Sequence, residues 1–236
     1  MAWYDIFTGN SIAKHGRRVA DRDANKDDRL ISMQWLAEEG TPEALLALCK
    51  RFELQLDHQI KDRDEKDECI DLLAEKGAAG LEAARIFARK SASFQNVLRL
   101  VDRVEGQSAG TALLLELLST ESVDDEFKPE KKKHLLVTLA ERRDPRIVAA
   151  AAPFLADFDE GVRNGALEAI AAQEGDTGRE ALGAALANPR EESTRIRGRL
   201  AEVFTARRWP VPEDPWLREH LPAGHALSGS YLVTAR

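Results

Sequence analysis

The sequence predicts an all-α fold, an α-α superhelix built from repeated helical hairpins. Three observations predict it. Apolar residues recur at three- and four-residue steps, as in Val162, Ala166, Leu167 and Ile170, or Leu135, Leu136 and Leu139. Each of several such runs is followed by a stop and a restart: Gly40 then Thr41-Pro42, Gly77, Gly175, and Asp144-Pro145. The pattern is also internally repeated. Superimposing Leu36, Leu73 and Leu139 puts Gly40 on Gly77 and Thr41-Pro42 on Asp144-Pro145, and Ile170 aligns a fourth copy. The recurrence of about 31–38 residues is the length of a helical-pair repeat.

The copies begin at Asp23, Asp64, Lys131 and Asp157. In three of them the amphipathic first helix ends near a glycine, Gly40, Gly77 or Gly175, that can take the left-handed cap conformation. Thr41 or Asp144 then caps the next helix, and Pro42 or Pro145 fits its first turn, where no N–H is needed. The second helix is short and rich in Ala and Leu. One such hairpin cannot bury its apolar face alone, so neighbours must stack. Residues 93–105 and 108–119 form a further pair with a degraded signature. Residues 120–130, TESVDDEFKPE, are polar and acidic and read as the longest loop, or as a hinge between two sub-solenoids. The run Lys131-Lys132-Lys133 opens the next helix and reads as a solvated face.

The stretch Asp157-Phe-Asp-Glu-Gly-Val-Arg163-Asn-Gly-Ala166-Leu167 resembles the signature of HEAT repeats, including the PBS-lyase-like type. That resemblance covers residues 23–208. It implies an α-solenoid of HEAT-like hairpins in which Asp and Arg recur and pair as a ladder between adjacent repeats. Asp157 and Arg163 match the pattern, as do Asp23 and Arg29, while Lys66 and Lys132 stand at the Arg position in the other two copies. The fold serves many roles, so the resemblance implies little about function.

The ends depart from the repeat. Residues 1–24 carry an aromatic cluster, Trp3, Tyr4, Ile6 and Phe7, ahead of a helix over 11–20, and read as a cap on the open end of the core. The repeat array is assigned to 25–208. Residues 209–236 form a Pro-rich tail, with Tyr231-Leu-Val-Thr as its one β-prone run. That tail reads as a disordered segment, a strap on the last repeat, or a strand donated to a partner. Hydrophobic residues at 43% and charged residues at 32% fit a folded globular chain, and aromatics are only 6%. No window approaches ~20 continuous apolar residues, and the opening MAWYDIFTGN has no basic start before an apolar run. The expected location is therefore the cytoplasm. The formal charge of −7 opposes bulk attraction to nucleic acid or anionic lipid.

The search for chemistry yields little. Cys49 and Cys69 sit among apolar residues at helical spacing and read as small core residues. His15, His58, His134, His220 and His225 fall in no zinc pattern, and no His-Glu dipeptide suggests a di-iron site. No phosphate loop or nucleophile elbow is present. The sequence thus assigns no catalytic, cofactor-binding or metal-binding residue. The expected function is a non-enzymatic, protein-binding scaffold or adaptor that uses the concave face of the solenoid. The alternative is a HEAT-class enzyme or nucleic-acid-binding protein, DNA-glycosylase-like or bilin-lyase-like. Second helices are expected to line the concave side. Arg51, Arg85, Arg89, Arg146 and Arg179 are the partner-binding candidates, suited to an acidic or helical protein partner. A monomer is favoured. The acidic stretches at 62–68 and 157–160 are expected on the outer side and its edges.

Overall fold

The computed structural model describes residues 3–127, 129–228 and 231–235, with side chains described from Ser11 onward within those ranges except at Ala235. Among these residues the chain is all-α apart from one small two-stranded ribbon. None of the described helices is long and apolar enough to cross a membrane. The chain divides into two compact units, Met1–Leu113 and Leu114–Arg236.

The first unit contains α1 (Trp3–Val19), α2 (Lys26–Glu39), α3 (Pro42–Leu48), α4 (Gln59–Glu75), α5 (Gly77–Lys90), α6 (Gln95–Glu105) and the start of α7 (Gln107–Ser119). Local cap chemistry sets the first hairpin. The Asn25 side chain accepts the Asp28 N–H at 2.9 Å and starts α2. Gly40, at φ 64°, donates its N–H to the Leu36 carbonyl and ends it. The Thr41 hydroxyl then accepts the Ala44 N–H at 3.2 Å, with Pro42 in the first turn of α3. Gly77, at φ 55°, makes the corresponding turn between α4 and α5. Helices α2, α4 and α6 pack successively in one row, and α3 packs on α5 in another. Between the rows lie Met33, Leu36, Leu45, Leu48, Leu73, Phe87 and Leu100, all buried. Each contributes about 1.5–3 kcal/mol of hydrophobic stabilisation.

Helix α1 begins at Trp3, well before the expected start at residue 11. It packs on α2 and α3, and Gly16 permits a close approach to Ala47. His15 stacks on Trp35 with ring centroids 4.4 Å apart and lies 3.0 Å from the Ser32 hydroxyl. The side chains of Trp3, Tyr4, Ile6 and Phe7, expected to cap the core, lie outside the described residues.

The second unit contains the remainder of α7, then α8 (Pro129–Ala140), α9 (Arg146–Ala151), α10 (Glu160–Ala171), α11 (Arg179–Leu186), α12 (Thr194–Arg207) and α13 (Pro215–Glu219). Helices α8, α10 and α12 pack in succession. The Asp144 carboxylate accepts the Arg146 N–H at 2.9 Å and starts α9. Pro153 lacks an N–H, and the chain after α9 tightens into a 3-10 turn over Ala152–Ala156. Residues 120–127, after α7, carry turns and bends without helix or strand.

Residues 209–228 and 231–235 fold back onto the same chain. Trp209 is buried, packs edge-on to Phe204 with centroids 5.6 Å apart, and donates its indole N–H to Asp176. Strands β1 (His225–Leu227) and β2 (Val233–Ala235) pair antiparallel, and β2 lies on α12 with Val233 buried. The Val211 N–H donates to the Tyr231 carbonyl at 2.9 Å, closing the loop between them.

Two glycines on these helices should respond oppositely to alanine. At Gly80 a new Cβ would stand 2.0 Å from the Leu73 carbonyl oxygen, so Gly80→Ala should cost about 1–3 kcal/mol through overpacking of α5 on α4. At Gly198, within α12, nothing lies within 4 Å, so Gly198→Ala should stabilise by about 0.5–1 kcal/mol. Urea denaturation of the two variants measures both signs.

Candidate partner-binding face

Any binding face is what remains after the fold has used its charges, and the fold uses many. In the first unit Arg29 grips Glu65 with two bonds, Nε to Oε2 at 2.8 Å and Nη2 to Oε1 at 2.9 Å. Its Nη1 donates to the carbonyls of Asp21 and Ala24, in the turn before α2. Arg51 reaches the same Glu65 at 3.0 Å and also Asp62 at 2.9 Å, while Lys66 reaches Asp62 at 2.6 Å. Arg51 and Glu65 are 0% and 1% exposed, so these ions stand against a low-dielectric background. Burial alone would raise the Glu65 carboxyl, but the Arg29 hydrogen bond and the charges of Arg51 and Arg29 outweigh it and hold it below its ordinary value of 4.5. Asp62 is likewise raised by burial and lowered more strongly by Lys66 and Arg51, ending below 3.8.

The second unit repeats the motif with other residues. Lys132 Nζ donates to Asp157 at 2.6 Å and to the carbonyls of Ser122 at 3.1 Å and Asp125 at 2.9 Å. The other Asp157 oxygen accepts the Asp159 N–H at 3.0 Å. Arg163 grips Glu191 at 2.8 and 3.1 Å and holds the carbonyls of Asp157 and Phe158. Glu191 in turn accepts the Ser193 N–H at 2.9 Å. In each case a cation in the first turn of one helix ties down its own leading loop and a carboxylate at or before the next first helix. Asp157 therefore pairs with Lys132, not with Arg163, and Arg29 pairs with Glu65, not with Asp23. Lys132 is 1% exposed, which corrects the expectation of a solvated lysine run. Lys131 and Lys133 are held beside Glu121 and Asp159, at 3.1 and 3.2 Å. The acidic stretch 62–68 is corrected in the same way, because Glu65 and Lys66 are buried.

The five candidate arginines separate into distinct environments. Arg51 lies in the 3-10 turn after α3, which directs its side chain into the core, so it is removed from the set of surface residues. Arg85, on α5, is paired with Glu105 at the end of α6. Arg89, one turn further along α5, lies 3.9 Å from Glu82 and is exposed. In the other unit, Arg146 folds back on Asp144 with bonds of 2.9 and 2.7 Å, and Arg179 is exposed at the start of α11.

The sequence reading missed a groove between the second helices of the first unit. Pro42, Glu43 and Leu46 of α3 face Ala79, Glu82, Ala83 and Ile86 of α5 around a cavity of about 210 Å³. The spacing of the α5 residues is that of one helix face, the same signal that marks core residues, so periodicity alone does not separate them. On the first-helix side, a cleft of about 660 Å³ between α4 and α6 is instead crossed by the pairs Arg99–Asp67 and Arg103–Asp71.

Burial pushes the Cys49 thiol up to about 12, and burial raises Cys69 well above its ordinary range, so neither is a thiolate near neutrality. Among the described residues no group of three or more His, Cys, Asp or Glu side chains is arranged to hold a metal ion. The chain matches no protein-family model, no curated protein and no solved structure.

The buried network should dominate stability. Glu65→Gln strands two buried guanidinium groups and should cost about 3 kcal/mol at neutral pH. The Glu65 carboxyl titrates below its ordinary 4.5 in the folded chain, so its contribution is complete above that pH and is lost as pH falls through the lowered value. Urea titrations at neutral and acidic pH should show the gap between the parent and Glu65→Gln narrowing below pH 4.5. The thiols offer a separate check. Cys49 and Cys69 should resist iodoacetamide in the native chain and react fully in denaturant, read by mass spectrometry.

Proposed function

We propose that this chain is a non-enzymatic protein-binding scaffold, a HEAT-like solenoid that holds a partner on the face formed by its second helices. The observation that carries this reading is the groove between α3 and α5, an open, largely apolar surface with Glu43 and Glu82 beside it. Its volume of about 210 Å³ lies below the range of small-molecule sites and suits one large side chain of another protein. The repeated tether from a first-turn cation to the next first helix, seen at Arg29, Lys132 and Arg163, supports a stack of like hairpins. The internal location of the perturbed carboxylates supports a structural role for them in place of a catalytic one, because each is matched by a cation that helps define the fold.

Photo-crosslinking by position tests the reading. A photoreactive residue at Arg89 or Lys90, both exposed on α5, should capture a discrete partner in the producing cells. The same residue at Ile31 or Ile60, exposed on first helices α2 and α4, should not. Crosslinks confined to Ile31 and Ile60, or absent at all four positions, overturn it.

A further inference from the structure

We propose that the α3/α5 groove takes a short basic amphipathic helix, with one large apolar side chain in the groove and a Lys or Arg within one turn of it set against Glu43 and Glu82. The proposal rests on the second-helix face being the binding face. It adds the chemistry of the occupant.

Shape and charge both point to this class. The floor of the groove is aliphatic: Leu46 from α3, with Ala83 and Ile86 from α5. Leu46 and Ile86 are half-buried, while Ala79 is exposed and leaves the entrance low. The lining residues of α5 run from Ala79 to Ile86, which is about 10 Å of helix and close to two turns. That length matches the reach of an apolar residue and its neighbours on a docking helix.

The only charged residues lining the groove are Glu43 and Glu82, one from each wall. Glu43 is exposed and makes no ion pair among the described residues. Arg85 pairs with Glu105 at the end of α6, and Arg89 lies 3.9 Å from Glu82. An acidic segment would bring a third carboxylate to this rim, at a cost. A basic one meets two carboxylates and is also steered by a chain of net charge −7. The expected acidic partner for the arginine row is thus not what this groove selects.

The test is selection from a displayed library of random peptides about fourteen residues long on the full chain, followed by fluorescence anisotropy with the enriched peptide. Enriched sequences should carry a large apolar residue with Lys or Arg within one turn. Affinity should fall about ten-fold or more when that apolar residue becomes Ala, in the Glu43→Gln/Glu82→Gln variant, and in Ala79→Trp, which fills the groove. It should be unchanged in Ile60→Ser and should weaken with salt. If Ala79→Trp lowers the melting temperature, Ile86→Ala is the second groove variant and should weaken binding in the same direction. Enrichment of acidic peptides, binding that survives both groove variants, or no enrichment at all overturns the basic-helix proposal. If crosslinks at Arg89 and Lys90 persist in that case, the scaffold reading stands and only the occupant is wrong. Their loss as well removes both.

Discussion

A cation placed in the first turn of a helix has an unusual set of obligations in this protein. Arg29, Lys132 and Arg163 each sit three residues after the first residue of their helix, where the backbone N–H groups of the turn already carry partial positive charge. A buried cation there is unfavourable unless something compensates it. The compensation comes from two directions: carbonyls of the loop that precedes the helix, and a carboxylate at the next first helix. One side chain therefore fixes the entry angle of its own helix and the spacing to its neighbour. The apolar core between the rows can be close-packed only once those two quantities are set. A buried ion pair of this kind adds little net stability over an apolar pair of equal volume, but removing one partner is severe, so its value lies in specifying one arrangement.

This use of charge shapes the surface. A chain with 32% charged residues would ordinarily show them outward, yet Arg51, Glu65, Lys132 and Asp157 are all withdrawn. Exposed pairs such as Arg199 with Glu168 and Arg99 with Asp67 cross between successive first helices and neutralise that side locally. Among the described residues, no ion pair crosses between the second helices α3 and α5 at their shared groove. They leave an aliphatic strip with two glutamates beside it, and this contrast is what singles out that side.

Legibility in the sequence followed the range of the interactions. Gly40-Thr41-Pro42 specified a stop and a start because every hydrogen bond involved spans only three or four residues. The long-range partners were not legible: Glu65 is 36 residues from Arg29, and Glu191 is 28 from Arg163. One signal was available, since Asp157–Arg163 and Glu191–Arg197 share the same spacing of six, yet only the first was read. Lys132 stood in a run of three lysines, where composition argues for solvent, and its burial depends on carbonyls of a loop with no regular structure. Arg51 was placed on a helix face, but it sits where the helix tightens into a 3-10 turn, and the change of pitch turns its side chain inward.

Arg197 meets a different environment. It occupies in α12 the place that Arg163 holds in α10, but the partners it meets there are a carbonyl and an aromatic ring. Its Nη2 instead donates to the His220 carbonyl, the Trp216 ring lies 4.6 Å from its carbon, and Nη1 is buried with no hydrogen-bond partner. The prolines around Trp209 and Trp216 prevent another long helix from forming, and the ribbon of β2 covers α12. A row of like helices with an uncovered last member would present a template on which another molecule could add, and then another, as an open filament. Here β2 of the same chain lies on α12, so the part of α12 that it covers is closed to a like helix.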